Sequence, residues 1–165
     1  MYAAVIVETR EVKGFGQIVR NHLKYLPENW KLVVYCSKGN REFVESEMEG
    51  LTYNLAGEVT INKADDYNKL LLSVGFWEQL LPYERVLIFQ SDSELLRTGV
   101  EEFLEWDYVG APWPFKMRGG NGGLSIRNPQ AMIDCIKEHA DKRPGIGLLL
   151  LLTCMMFRKK FFKNA

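Results

Sequence analysis

The sequence is short of the features that mark a specialised environment. Its three cysteines, Cys36, Cys135 and Cys154, are odd in number and show no CxxC or Cys/His spacing. That removes a disulfide framework and a zinc site and fits a reducing compartment. Neither sign of charge is in excess, since 21 basic side chains face 21 acidic ones, so no general attraction to nucleic acid or an anionic membrane is expected. The apolar run from Ile146 to Phe157 has twelve residues, against the roughly twenty a helix needs to cross hydrocarbon, so no transmembrane span is expected. The opening MYAAVIVETR has no basic leader followed by a long apolar core and a small-residue cleavage site, and it reads as a strand of a cytoplasmic protein. Only two histidines occur. His22 and His139 each fall on an apolar helix face, as hydrogen-bonded core histidines do, and no Ser/His/Asp arrangement is built from them.

What is present is an ordinary apolar fraction, 47% of 165 residues, enough for one domain that buries roughly 70% of its unfolded surface without staples. Tyr2 to Glu8 and Lys31 to Cys36 read as buried strands. Between them Phe15, Ile18, Val19, His22, Leu23 and Leu26 recur at helical spacing until Pro27. Strand, helix, strand with such a crossover builds a parallel sheet with helices packed on it. Residues 41 to 49 read as helical and Leu51 to Leu55 as a third strand. A helix capped by Asp65 or Asp66 runs on through Tyr67, Leu70, Leu71, Val74, Trp77, Leu80 and Leu81 to Pro82. The strand RVLIFQ (85 to 90) follows, then a short helix near Val100 to Glu105. A Pro-, Trp- and Gly-rich loop spans Gly110 to Gly123, Leu124 to Arg127 forms a strand, and a helix is capped by Asn128 with Pro129 in its first turn. The expected fold is α/β, a mostly parallel central sheet flanked by helices. The expected division is a main domain over 1–143 and an apolar, then basic tail over 144–165, whose Arg158, Lys159, Lys160 and Lys163 give it either a solvated helix end or peripheral contact with a lipid surface.

Chemistry concentrates just past RVLIFQ. If the chain stays extended there, Gln90, Asp92 and Glu94 face one way and Ser91 and Ser93 the other. Two such carboxylates suit magnesium or manganese, with Asp92 and Glu94 as metal ligands. The same residues also suit a turn that satisfies free backbone donors. The carboxyl edge of an open α/β sheet is where ligands bind. GGNGG (119 to 123) permits close backbone approach of a ligand or a strand, or forms a hairpin turn. Lys13-Gly14-Phe15-Gly16 follows a strand and opens a helix, but Val19 stands where a dinucleotide fingerprint needs its third glycine, which excludes that motif. Tyr108, Trp113 and Phe115 offer flat apolar faces for a sugar or base, or belong to the core.

Together FQSDSELL, FLEWDYVGAPW and GGNGGLSIRN, with ETR after the first strand and the YNKLL and GFWEQL segments, resemble a glycosyltransferase-like family of the GT-A type described as a domain of unknown function. The resemblance spans about Val5 to Ile136. It implies transfer of a sugar from a nucleotide-sugar donor to a glycan, lipid or protein acceptor, with a divalent metal, manganese or magnesium, at an acidic motif. Carried onto this chain, it implies donor binding by Thr9, Arg10, Tyr67, Asn68, Ser91, Asp92 and Ser93. It further implies a sugar or acceptor pocket at Trp113, Gly120, Asn121, Gly122 and Gly123, with no base identified. Arg10 suits phosphate through its planar fork. Relatives continue past the last helix with a Glu-Asp pair, whereas Pro144 here is followed by GIGLLLLLTCMMFRKKFFKNA. Loss of one nucleotide from codons for Pro-Glu-Asp-Trp would produce Pro-Gly-Ile-Gly. On that reading the acceptor half is missing and the chain is a non-catalytic nucleotide- or sugar-binding remnant.

Overall fold

A computed structural model describes residues 1–112 and 120–139. Strands Tyr2–Val7 (β1), Trp30–Cys36 (β2), Asn54–Glu58 (β3), Arg85–Phe89 (β4), Tyr108–Pro112 (β5) and Gly120–Arg127 (β6) form one sheet in the order β3-β2-β1-β4-β6-β5. β1 pairs in parallel with β2 and β4, and β2 with β3, while β6 runs antiparallel to both β4 and β5. Helices Phe15–Leu23 (α1), Arg41–Glu47 (α2), Ala64–Leu71 (α3), Val74–Glu78 (α4) and Pro129–His139 (α5) flank it, with 3₁₀ turns at Lys38–Asn40 and Val100–Phe103. The expected α/β class and mostly parallel sheet are what the chain adopts.

The alternation of a strand explains the layers. In β1 the odd residues Ala3, Val5 and Val7 pack with Leu71, Phe76, Trp77 and Met132. The even residues Ala4 and Ile6 pack with Phe15, Val19, Val44 and Met48. Both faces of the strand are therefore apolar, which is why the run shows no alternation in sequence. α1 starts at Gly14, whose φ of 74° suits glycine. It crosses α2 at Gly16, where any Cβ would collide with the Glu47 carbonyl oxygen. Those two glycines serve a helix start and a helix crossing.

Three expectations need correction. The single helix to Pro82 is two, because Ser73 donates to Leu70 O (2.8 Å) and accepts from Phe76 N (3.4 Å), starting α4 afresh. The indole of Trp77 donates to Leu71 O (2.8 Å) and satisfies a carbonyl at the end of α3. The third strand lies at Asn54–Glu58, displaced from residues 51 to 55. Finally, Gly120 to Gly123 belong to β6, with a register shift in β5 between Gly110 and Ala111, so Ser125 opposes Gly110 and Asn121 opposes Ala111. The strand is held by pairing across the sheet, because glycine itself carries no strand preference. The remainder of the expected 110–123 loop and the 144–165 tail lie outside the described residues.

Candidate functional site

The order in which strands are added reverses at β1: β2 and β3 lie on one side of it, β4, β6 and β5 on the other. The carboxyl ends of the parallel neighbours β1 and β4 lie side by side there, at the switch point where open α/β sheets hold ligands. A cleft of about 560 Å³ lies there, lined among others by Glu8, Thr9, Arg10, Tyr67, Ser91 and Asp92.

Glu8 organises it. Only 5% exposed, its carboxylate accepts from Thr9 N and Arg10 N (both 3.1 Å), from Arg10 Nε (2.8 Å) and Nη2 (2.9 Å), and from Ser91 Oγ (2.7 Å). Burial alone would push this carboxyl up, but the bonds from Arg10 and Ser91 outweigh it and hold Glu8 below the ordinary carboxylate range. The Ser91 bond joins the end of β1 to the end of β4. From the opposite side the buried Asn40 amide donates to Glu8 O and Arg10 O, both at 3.0 Å. Thr9 Oγ1 donates to Ile61 O (3.3 Å), tying in the segment before α3. Sequence patterns single out neither Glu8 nor Asn40. The signal for Glu8 is an acid at the end of an apolar run with an arginine two residues on, and Asn40 offers none.

The residues after β4 form a turn. Ser93 N donates to Gln90 O (3.0 Å), and Ser93 Oγ donates to the same oxygen (2.8 Å) and accepts from Gln90 N (3.1 Å). The extended alternation expected for 90–94 is therefore absent, because the Ser93 hydroxyl closes the turn. Ser91 and Asp92, at the centre of that turn, face the cleft, while Glu94 lines a separate apolar groove with Leu95, Leu96 and Phe103. The two expected metal carboxylates thus open on different cavities. Ser93 turns to His22, whose Nε2 lies 3.4 Å from its hydroxyl.

His22 is fully buried, stacks on Phe89 with 4.3 Å between ring centres, and its Nδ1 lies 2.9 Å from Ile18 O. Burial holds it below the ordinary histidine value. His139 makes the matching contact to Cys135 O (2.9 Å). Both are core histidines, as expected.

Tyr67 lines the cleft and, chiefly through burial, its phenol is pushed up to about 12. Asn68 lies one position on in α3, and neither it nor Gly122 and Gly123 is part of the described lining. Gly122 instead makes room for an arginine, since a Cβ there would come within 2.6 Å of Arg127 Nη2. Tyr108 is a core residue, 6% exposed. Gly120 and Asn121 contribute the first residues of β6. Trp113 and Phe115 lie outside the described residues. Among the described residues no group of three His, Cys, Asp or Glu side chains converges on a metal position, and no helix is long and apolar enough to cross a membrane.

Its likeness to solved structures gives the chain the GT-A type of fold seen in nucleotide-sugar transferases. Among solved structures the chain resembles 4-diphosphocytidyl-2C-methyl-D-erythritol synthase of Anaerococcus prevotii, at TM-score 0.59 and 8% identity over 87% of this chain and 77% of that one. It also resembles mouse xyloside xylosyltransferase 1 in its apo form, at TM-score 0.56 and 14% identity over 94% and 82%. A third is the mannosyltransferase PcManGT of Pyrobaculum calidifontis in complex with GDP-Man and Mn2+, at TM-score 0.51 and 16% identity over 79% and 45%. At these identities the likeness is one of fold, and the chain spans less than half of PcManGT. The chain belongs to the family described as Protein of unknown function (DUF5672), which matches residues 51–164. No curated protein sequence matches it.

Proposed function

We propose that the cleft is a nucleotide-sugar donor site and that the protein is a glycosyltransferase, moving the donor's sugar to an acceptor hydroxyl. The supporting observation is the position of Arg10, Ser91 and Asp92 around one crevice at the switch point of a GT-A sheet. Glu8 holds Arg10 by two parallel bonds, so the guanidinium is set in place while most of its side chain stays exposed. An oriented fork of this kind suits a phosphate at the rim. Thr9 and Ser91 add hydroxyls, and Tyr67 a ring face.

The donor set fits a divalent cation in a limited way. Asp92 supplies hard oxygen, whereas Glu8 and the Ser91 hydroxyl are committed to each other and to Arg10, and Glu94 opens elsewhere. This suits magnesium or manganese held by one carboxylate, waters and diphosphate oxygens better than an all-protein cage. When bound, such an ion neutralises charge growing on the departing nucleoside diphosphate.

Calorimetric titration of uridine and guanosine diphosphates, with and without manganese, tests the reading on wild type and Asp92→Ala. Manganese-dependent affinity that disappears in the variant supports it, and sugar transfer or release in the same samples separates an enzyme from a binding module. Absence of affinity for either nucleotide under both conditions overturns it.

A further inference from the structure

Arg127 is buried, 5% exposed, in the layer formed by α4, β5 and β6. Its guanidinium donates from Nε to Ser125 Oγ (2.9 Å) and from Nη2 to Gly122 O (3.2 Å). Its central carbon lies 5.2 Å from the Tyr108 ring centre and 5.5 Å from that of Trp77. Neutral carbonyl, hydroxyl and ring contacts surround a charge that arginine does not shed. Among the described residues no carboxylate lies within ion-pair distance of it. A buried cation without an anion is costly, and folded proteins almost always supply one.

A second, independent observation falls at the same place. Among the described residues the hydroxyls of Tyr108 and Tyr67 are buried without a hydrogen-bond partner. The Gln90 side chain approaches Tyr67 without completing the geometry. Both phenols interact electrostatically with Arg127. Two orphan O–H donors and a guanidinium with spare N–H groups all lack the same thing, an oxygen acceptor, and an oxyanion supplies it to all three. Tyr67 belongs both to this cluster and to the wall of the cleft.

Resting on the donor-site reading above, we infer that Arg127, Tyr108 and Tyr67 form an oxyanion seat at the inner end of the cleft, filled by an anionic group of the bound ligand. That group is a diphosphate oxygen or a carboxylate on the transferred sugar. Gly122 is glycine for this reason: the absence of a side chain leaves room for the guanidinium.

The test titrates pyrophosphate, uridine diphosphate, uridine diphosphate glucose and uridine diphosphate glucuronate, with manganese, into wild type, Tyr108→Phe and Arg127→Met. Tyr108→Phe removes one oxygen and keeps the ring beneath the cation, so it retains the fold even if Arg127→Met does not. The seat predicts roughly a tenfold or greater loss of affinity in Tyr108→Phe, the weight of one hydrogen bond to a charged group, and a larger loss in Arg127→Met. A loss shared by pyrophosphate assigns the seat to the diphosphate, and a loss confined to the glucuronate assigns it to a sugar carboxylate. Equal affinities in wild type and both variants overturn the seat and leave the donor site standing, which Asp92→Ala reads separately. A wild type that binds none of the four overturns both. The seat is also overturned if Asp141→Asn destabilises the free protein only while Arg127 is present. Asp141 is the one acidic side chain of the sequence outside the described residues, and such coupling would make it the partner.

Discussion

Two arginines of the protein sit in opposite circumstances. Arg10, on the rim, is 74% exposed, yet it has a fully engaged carboxylate partner. Arg127, 5% exposed, has only carbonyl, hydroxyl and ring neighbours among the described residues. Stability alone would favour the reverse, since water screens an exposed cation and a buried one needs an anion. The contrast shows which residues serve the free protein and which await something. Glu8 and Arg10 complete the architecture in the absence of ligand, while Arg127 is left incomplete by it.

Glu8 carries the largest expected effect. Glu8→Ala strands two backbone N–H groups and the Ser91 hydroxyl and should cost about 3 kcal/mol in urea unfolding. Arg10→Ala should cost no more than about 1 kcal/mol, because its partner keeps its other donors and the lost charge was solvated. Equal losses for the two would show that the rim ion pair, and not the carboxylate's wider set of bonds, holds the strand ends together.

Acid sharpens the contrast in two windows. The folded Glu8 carboxyl lies below its ordinary 4.5, so as pH falls below about 4.5 the unfolded state takes up the proton first and stability drains away through the folded value. Glu8→Gln should flatten that limb. The buried His22 likewise lies below its ordinary 6.5. Stability is full above about 6.5 and declines as pH falls through the folded value, a slope His22→Phe should remove. Thermal melts across pH 3 to 8 (roughly, spanning both windows) read each limb separately.

Arg127→Met should leave the ligand-free protein within about 1 kcal/mol of wild type and on the stabilising side, because an unpaired buried charge is replaced by an apolar chain of similar length. A large destabilisation would mean the cation is already paired in the free chain. The smallest effect belongs to Asp92→Ala. The side chain is exposed, so unfolding should move by less than about 0.5 kcal/mol, while the manganese-dependent affinity described above disappears.

Much of the sheet is legible in the sequence, and the reasons for the exceptions are local. β1, β2 and β4 are short runs apolar on both faces, and α1 and α5 carry clear helical spacing, so burial declares them. The break at Ser73 is not declared, because a hydroxyl that caps a new helix sits inside uninterrupted apolar periodicity. β3, with Ala56 and Gly57, and the glycine-rich start of β6 are strands only because neighbours pair with them. The site is legible by position, in that Thr9, Arg10, Tyr67, Ser91 and Asp92 are all expected there and all line one cleft. Its polar logic is not. An extended chain after β4 would place Glu94 beside Asp92, and a serine hydroxyl bonding back to Gln90 undoes that. The parts played by Glu8 and Asn40 come from contacts between segments about thirty or more residues apart, which no local pattern displays.

The placement of β1 bears on how the family should be delimited. Residues 51–164 carry the shared pattern, yet the strand at the centre of the sheet, the Glu8 carboxylate and the Asn40 amide that steadies its loop all come before it. A chain trimmed to the matched stretch would expose the long edge of β4 where its parallel neighbour belongs, and edges of that kind recruit other chains. The folding unit of this chain therefore takes in β1 and the loop after it as well as the matched stretch.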